Sequence, residues 1–459
     1  SAGQQHELTA DAILERAEAA VRTTGPPRRK RAASSRRLRT GLLVIVALVL
    51  AFLTVVVPRL QFGGYTSRAG PKASTKPPFR GDCRAARRGA SPKWPLHGGH
   101  VRSHLAYAAR PGPTQYGHMP MIERMQNGTL IMAWQASTGL EGTLEQGIWV
   151  AFSKDGEGNA WWPPRALGLE QSGPQWGPVL HKDARGRMWL AYSESSDCSF
   201  DTEPVRWMPG GDIKLTSLVE GNAGGWRPPR TIYAQAADGG VPKVTANKLI
   251  VLSTHEWVLP IWSELHATGN CDFQEGATGA ASVLVSTNDG ASWENRGHIT
   301  SEATWLIENT VVELKNGQLK MFFRTLKNYI YEATSKDKGY SWSEPLPTKL
   351  LNPDSKPHAM RLSDGSLAMA YNNHAKLKRA KKCRTNLDVA VSTDEGRSWT
   401  QIVRLEAVEE PGLRAHYPTL LQVDCTLYVA YSKFYHEEYM QAGTQTDIGL
   451  HIAALDMRV

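Results

Sequence analysis

The octapeptide pattern Ser-x-Asp-x-Gly-x-Ser-Trp constrains the fold of this chain more than any other feature. It occurs at 335–342 and 392–399, and at 286–293 with Asn288 in the Asp position. The copies lie roughly 50 residues apart, the length of one four-stranded unit in a radial β-repeat. Each residue has a local task. Ser and Asp side chains bond backbone amides inside a turn. Gly290, Gly339 and Gly396 permit a left-handed backbone there. The Trp offers a large apolar face to bury between neighbouring sheets. The pattern is therefore a hairpin corner fastened to the body of a β-rich fold, and catalytic groups are expected elsewhere in each unit.

The rest of the chain beyond residue 106 agrees. Hairpin patterns run over 121–134, 311–323, 360–371 and 419–431, with looser copies at 179–192 and 248–261. Asn-Gly and Asp-Gly turns mark several of them. Degenerate Trp-ended turns close at Trp161 and Trp226. Six hairpin units predict an all-β, six-bladed β-propeller over 106–459, closed so that few strand edges stay bare. Asn127-Gly128-Thr129 is also a glycosylation sequon, but a tight hairpin turn accounts for Asn-Gly there first.

The N-terminal quarter is different in kind. The formal net charge is +9, yet the excess of Lys and Arg sits in residues 1–40 and 58–105, leaving 106–459 mildly acidic. That distribution excludes a nucleic-acid-binding globular domain. Residues 41–57 form an uninterrupted apolar run, near the lower end of the ~17–25 residues of a bilayer span. Arg28, Arg29, Lys30 and Arg31 precede it, which orients the N-terminus to the cytosol. The expected order is a cytosolic tail (1–40, with a short amphipathic helix at 9–21), a transmembrane signal-anchor (41–57), a basic Gly/Pro/Ser-rich stem (58–105) and the propeller. This is a single-pass type II layout in the secretory pathway, Golgi, lumenal or cell-surface. A cleaved signal peptide fits less well, because its apolar core is shorter and nearer the N-terminus. An oxidising lumen permits disulfides. The five cysteines leave at least one unpaired within the chain, and Cys198 with Cys271 is the expected pair. No Cys/His spacing points to zinc, and no metal or cofactor is expected.

Four segments between the Trp-ended turns carry the chemistry. Ile307-Glu308-Asn-Thr-Val-Val-Glu-Leu-Lys-Asn-Gly runs on to Phe323-Arg324; Arg384-Thr-Asn-Leu-Asp-Val-Ala-Val leads into Ser392; His416-Tyr417-Pro-Thr-Leu-Leu opens a hairpin; Thr138-Gly-Leu-Glu141 precedes Ser153. Together they resemble the sialidase (neuraminidase) superfamily, in its branch with Asp-box repeats, over about 106–459. The resemblance implies Tyr417 as nucleophile, Glu308 as its basic partner and Glu141 as acid/base, with Glu145 as the alternative. It implies Arg324 and Arg384 as grips on a substrate carboxylate. One position departs from the family. In Tyr116-Gly-His118-Met-Pro120 a histidine stands where the first family arginine is expected. Arginine grips a carboxylate bidentately and stays charged. Histidine offers one directed bond and is charged only below about pH 6.5, so a mildly acidic lumen would favour its imidazolium. His358, Arg361, Asn373 and His374 are weaker candidates for the same rim. The basic run 376–382 reads first as a solvated loop and second as a recruiter of polyanions.

The chemistry is consistent with these residue types. A 2-keto sugar acid carries a carboxylate on its anomeric carbon, and an anionic nucleophile would be repelled there. A neutral tyrosine avoids the repulsion, and sialidases are the known tyrosine exception among glycosidases. The expected activity is that of a membrane-anchored, retaining exo-glycosidase cleaving a terminal acidic sugar from glycans. The alternatives are a propeller acting on a different acidic sugar, as hydrolase or lyase, and a glycan-binding module without turnover. Membrane contact through 41–57 is expected, and nucleic acid is not.

Overall fold

The computed structural model describes residues 101–108, 114–139, 141–195, 209–219, 225–264, 279–436 and 448–457. The expectations for the helix at 9–21, the span at 41–57, most of the stem and the Cys198–Cys271 pair lie outside the described residues. Among the described residues no helix is long and apolar enough to cross a membrane.

Short alternating strands joined by tight turns build six antiparallel sheets. The first holds β2 (Tyr116–Arg124), β3 (Leu130–Ser137), β4 (Gly147–Phe152) and β5 (Arg165–Ala166). The second holds β6 (Gln175–Lys182), β7 (Met188–Glu194), β8 (Asp212–Ser217) and β9 (Arg230–Tyr233). In the third, β10 (Lys243–Thr245) and β11 (Ile250–Val251) share the innermost place beside β12 (Trp257–Ser263), β13 (Ala280–Ser286) and β14 (Glu294–Ile299). The fourth is β15 (Ile307–Glu313), β16 (Leu319–Arg324), β17 (Tyr329–Ser335) and β18 (Leu346–Leu351). The fifth is β19 (His358–Arg361), β20 (Leu367–Asn372), β21 (Leu387–Ser392) and β22 (Thr400–Glu406). The sixth is β23 (Leu413–Val423), β24 (Thr426–Tyr435) and β25 (Gly449–Asp456), closed on its outer edge by β1 (Val101–Ala108). The fold is an all-β six-bladed propeller. The expected start at residue 106 needs correction, because that boundary falls inside β1, which pairs from Val101↔Leu455 to Ala108↔Gly449. β1, which precedes the first blade in sequence, is thus the outer strand of the last one and links the two blades where the ring closes. The basic composition of 58–105 concealed it.

The core lies between blades. Met121, Ile131 and Val150 of the first blade interlock with Val179, Leu190 and Leu215 of the second, and the same arrangement recurs around the ring. The Trp-ended turns behave as their sequence requires. Gly339 N–H donates to Ser335 Oγ (2.9 Å), Ser341 N–H to Asp337 Oδ1 (2.9 Å) and Trp342 Nε1 to the Gly339 carbonyl (2.9 Å). The copies at 286–293 and 392–399 repeat these bonds. The degenerate turn at Trp161 keeps the indole bond, to the Gly158 carbonyl at 3.0 Å. Exposed Asn127 accepts from Thr129 N–H in the expected turn. Cys425 is disulfide-bonded and Cys383 is a buried free thiol.

Four of the six blades share one irregularity in the innermost strand. Register shifts fall between His118 and Met121, Trp176 and Val179, Ile307 and Thr310, and His416 and Thr419. Each contains one left-handed residue: Met119 (φ 57°), Gly177 (φ 53°), Glu308 (φ 48°) and Tyr417 (φ 56°). A bulge of this kind bends the strand and re-aims a side chain. At Gly177 a side chain is impossible, since a Cβ there would lie 1.7 Å from the Thr245 carbonyl oxygen. Gly177→Ala is expected to cost more than about 3 kcal/mol, from backbone displacement and left-handed strain together. The midpoint of denaturant unfolding measures this, and an unchanged midpoint would refute the bulge geometry.

Candidate active site

Glu308 and Tyr417 come from different blades, 109 positions apart, and their bulges turn both side chains to the same point. The Tyr417 hydroxyl donates to Glu308 Oε1 at 2.5 Å. Arg324, at the end of β16 beside Glu308, donates through Nη1 to Glu308 Oε1 (2.8 Å) and to the Tyr417 oxygen (2.7 Å). All three are buried. Glu308 Oε2 keeps an unpaired, buried oxygen among the described residues. Burial, with the Glu308 charge, raises the Tyr417 phenol well above its ordinary value despite the opposing pull of Arg324. The phenol is therefore neutral, with its proton directed at a carboxylate.

Asp354 organises the cations. It accepts from Arg324 Nε at 2.7 Å, and Arg384 Nη2 and Lys376 Nζ lie 3.9 and 3.7 Å from its other oxygen. Burial alone would raise this carboxyl, but Arg324 and then Arg384 hold it below its ordinary range. Arg414, on β23 three residues before Tyr417, completes a cluster with Arg384: the two backbones form a parallel bridge. Burial, with the Arg384 charge, pulls the Arg414 guanidinium down to about 10, while Tyr417 and Glu141 act in the opposite sense. Glu141 sits across the cleft and accepts from Gln135 Nε2 at 2.8 Å. Burial raises its carboxyl, favouring the protonated form. The floor is apolar, with Met119, Trp176, Trp262 and Ile307 packed around Tyr417 and Trp305 beside them.

The chain matches the model of the BNR repeat-like domain over residues 128–429. It belongs to this family. Its fold is shared by solved structures at low identity. A Dyadobacter fermentans protein of unknown function matches with a TM-score of 0.60 at 16% identity, over 78% of this chain and 99% of that one. The Hadza microbial sialidase Hz136 matches with a TM-score of 0.59 at 16% identity, over 78% and 68%. Trypanosoma rangeli sialidase, in complex with the inhibitor DANA, matches with a TM-score of 0.54 at 15% identity, over 74% and 54%. No curated protein matches the chain. The BNR-repeat propeller of this chain thus has the fold of these two sialidases.

Within that frame the expected residues divide. Tyr417, Glu308, Arg324, Arg384 and Glu141 converge. His118 is also present, its ring centroid 4.2 Å from that of Tyr417, but not as a cation. Burial first, and then Arg384, Arg414, Lys356 and Arg324, hold its imidazole well below the ordinary value. Its Nδ1 is bonded to Ser432 Oγ at 2.9 Å. The expectation that a mildly acidic lumen would charge it is therefore corrected: the surrounding cations oppose protonation. The third positive charge belongs to Arg414, which sequence reasoning missed. Its only signal was proximity, two residues before His416-Tyr417.

Other candidates are structural. Glu145 is spent on the Thr138 N–H and hydroxyl. Asn373 donates to Asp388, and His374 Nε2 accepts from Thr385 N–H, fastening the residues that follow Arg384. His358 and Arg361 line a separate cavity of about 530 Å³ with Glu123 and Lys248. Glu264 was also unforeseen: its buried carboxyl accepts from Trp262 Nε1 at 2.7 Å and is pushed up to about 7 by burial. Among the described residues no three His, Cys, Asp or Glu side chains converge on a metal site.

The Asp354 carboxylate gives a testable pH dependence. Its folded-state value is lowered, so its stabilisation is complete above about pH 4 and is lost as pH falls through the lowered value. Asp354→Asn, which leaves Arg324 and Arg384 underpaired, is expected to cost about 3 kcal/mol at pH 7. Denaturant titrations should show the gap to wild type closing in acid.

Proposed function

We propose that this protein is a retaining exo-glycosidase of sialidase type, acting on a terminal 2-keto sugar acid of glycans. One observation carries the reading: a neutral tyrosine hydroxyl bonded to a buried carboxylate at 2.5 Å, with one arginine bridging both. Isolated on a strand, Tyr417 would be a core aromatic. Paired with Glu308 it is a phenol with a base in place.

Arg324, Arg384 and Arg414 hold the substrate carboxylate, and Asp354 keeps the first two extended toward it. Tyr417 Oη attacks the anomeric carbon while its proton passes to Glu308. Glu141, whose carboxyl burial raises, delivers its proton to the departing glycosidic oxygen. The products of this half-reaction are a tyrosyl glycoside and the free alcohol. Glu141, now a carboxylate, removes a proton from water; the water adds to the anomeric carbon as the Tyr417–carbon bond breaks, and Glu308 returns the proton to the phenol.

The substrate identity carries a second reading. The neutral His118 and the offset Arg414 displace positive charge from the first blade to the sixth. That favours a carboxylate set differently in the cleft, as in a related 2-keto or uronic-type sugar acid, over sialic acid itself. We also propose that residues 41–57 anchor the propeller on the lumenal side of a secretory-pathway membrane, on the strength of that apolar run and its basic flank.

Turnover of fluorogenic glycosides of sialic acid, its deaminated form and a uronic acid tests the reading and ranks the sugars. Tyr417→Phe is expected to lower kcat/KM at least about 10³-fold; wild-type activity in that variant would sink the proposed nucleophile, and an unsaturated product would identify a lyase. Glu141→Gln should lose about 10²–10⁴-fold on alkyl glycosides, keep activity on activated aryl glycosides and lose the alkaline limb of the pH profile. Arg414→Leu is expected to raise KM roughly 30-fold, the equivalent of about 2 kcal/mol, with a smaller change in kcat. A KM unmoved by that substitution would return the carboxylate to Arg324 and Arg384 alone.

A further inference from the structure

Two buried polar side chains take no part in this chemistry and yet touch both halves of it. Lys356, in the turn leading into β19, is 1% exposed, and Asn247, between β10 and β11, is fully buried. Lys356 Nζ donates to Asn247 Oδ1 at 2.9 Å and to the Pro418 carbonyl at 2.8 Å. Asn247 Nδ2 faces three carbonyls, those of Glu308 (2.9 Å), Asn309 (3.1 Å) and Pro357 (3.2 Å).

These acceptors are not arbitrary. Glu308, Asn309, Tyr417 and Pro418 are the residues that the bulges remove from the inner-strand ladders. A buried carbonyl without a ladder partner needs another donor. The two neighbouring bulges obtain theirs from threonines: Thr245 Oγ1 donates to Gly177 O (2.7 Å) and Thr419 Oγ1 to Pro120 O (2.8 Å). The two bulges that carry the dyad share one hub instead. It runs from Pro418 in the sixth blade through Lys356, at the entry to the fifth, and Asn247 in the third to Glu308 in the fourth. Both dyad residues hold left-handed backbones, at φ 48° and 56°. Such conformations persist only where the surroundings over-determine them.

We propose that the Lys356–Asn247 pair is a positioning device that sets the separation of the Tyr417 hydroxyl and the Glu308 carboxylate by pinning the two bulges to each other. A buried lysine is an expensive filler for an axial space that methionine would occupy well. Its use here follows from its reach, which links a side-chain amide to a carbonyl one blade further on. Burial pulls the amine down to about 7, and both its protonation states can donate to the two acceptors. The substrate carboxylate is held by arginines that the hub does not touch. Loosening the hub therefore acts on the reacting geometry and leaves binding largely intact.

This proposal rests on the reading of Tyr417 and Glu308 as nucleophile and base, and its test includes a measurement that does not. Lys356→Met removes both donations with little change of shape. Asn247→Asp keeps the bond from Lys356 and removes the donations to Glu308 and Asn309. In each variant kcat on the best fluorogenic glycoside is expected to fall about 10- to 100-fold, as for a displacement of about 1 Å, with KM within about twofold. Separately, the full chain is labelled with [¹³Cζ]-tyrosine and the Tyr417 signal identified by its loss in Tyr417→Phe. That signal is expected to move in both variants while the other tyrosine signals stay in place. If Lys356→Met does not fold, Asn247→Asp decides by the same measures. An unmoved Tyr417 signal in a folded variant, or kcat and KM changing in equal measure, overturns the proposal. A wild type that turns over none of the glycosides overturns the hydrolase reading, and the Tyr417 signal then decides the hub alone.

Discussion

Everything distinctive about this propeller depends on a left-handed residue in an inner strand. Regular antiparallel pairing alternates side chains between faces and would bury Glu308 and Tyr417 between blades. One extra residue per strand breaks that alternation and turns both groups to a common point. The same device at Met119 and Gly177 shows that it belongs to the architecture, and two of its sites carry the Glu308–Tyr417 pair. Its cost is strain plus carbonyls cut off from the ladder, and the buried Thr245, Asn247, Lys356 and Thr419 side chains satisfy those carbonyls. Polar residues in the axial core are thus a consequence of the bulge.

The electrostatics follow from the same crowding. Three arginines, a lysine and two histidines share a small volume with the carboxyls of Glu308, Asp354, Glu141 and Glu264. Asp354 and Glu308 sit against Arg324 and hold its guanidinium charged, while burial and the neighbouring cations keep the two histidines neutral. The cleft gathers an excess of positive charge around a neutral phenol, as the proposed hydrolysis requires. That combination suits attack on a carbon that itself bears a carboxylate.

Several of these features were legible in the residues alone. The Trp-ended turns and six hairpin patterns pointed to a six-bladed propeller, because turn chemistry is local and is written in consecutive residues. Tyr417, Glu308, Arg324 and Arg384, which the fold brings together, were singled out in the sequence by the resemblance of the segments around them to a family pattern. Arg414, Glu264, Asn247 and Lys356 were not. Each acts through a neighbour on another blade, and no spacing along the chain encodes such a contact. β1 was missed for a related reason: a single edge strand carries little periodicity of its own, and its partner β25 lies at the far end of the chain.

His118 marks the division most clearly. The chain itself determined that a histidine replaces an arginine at the first inner strand, and that a smaller, titratable group faces the cleft there. Whether that group is charged was decided only by the fold, which surrounds the buried ring with Arg384, Arg414, Lys356 and Arg324 and so suppresses its protonation. Turn type and strand period depend on neighbours in sequence and are written there. Charge state, and the meeting of Tyr417 with Glu308, depend on distances between blades, and these exist only once the ring has closed.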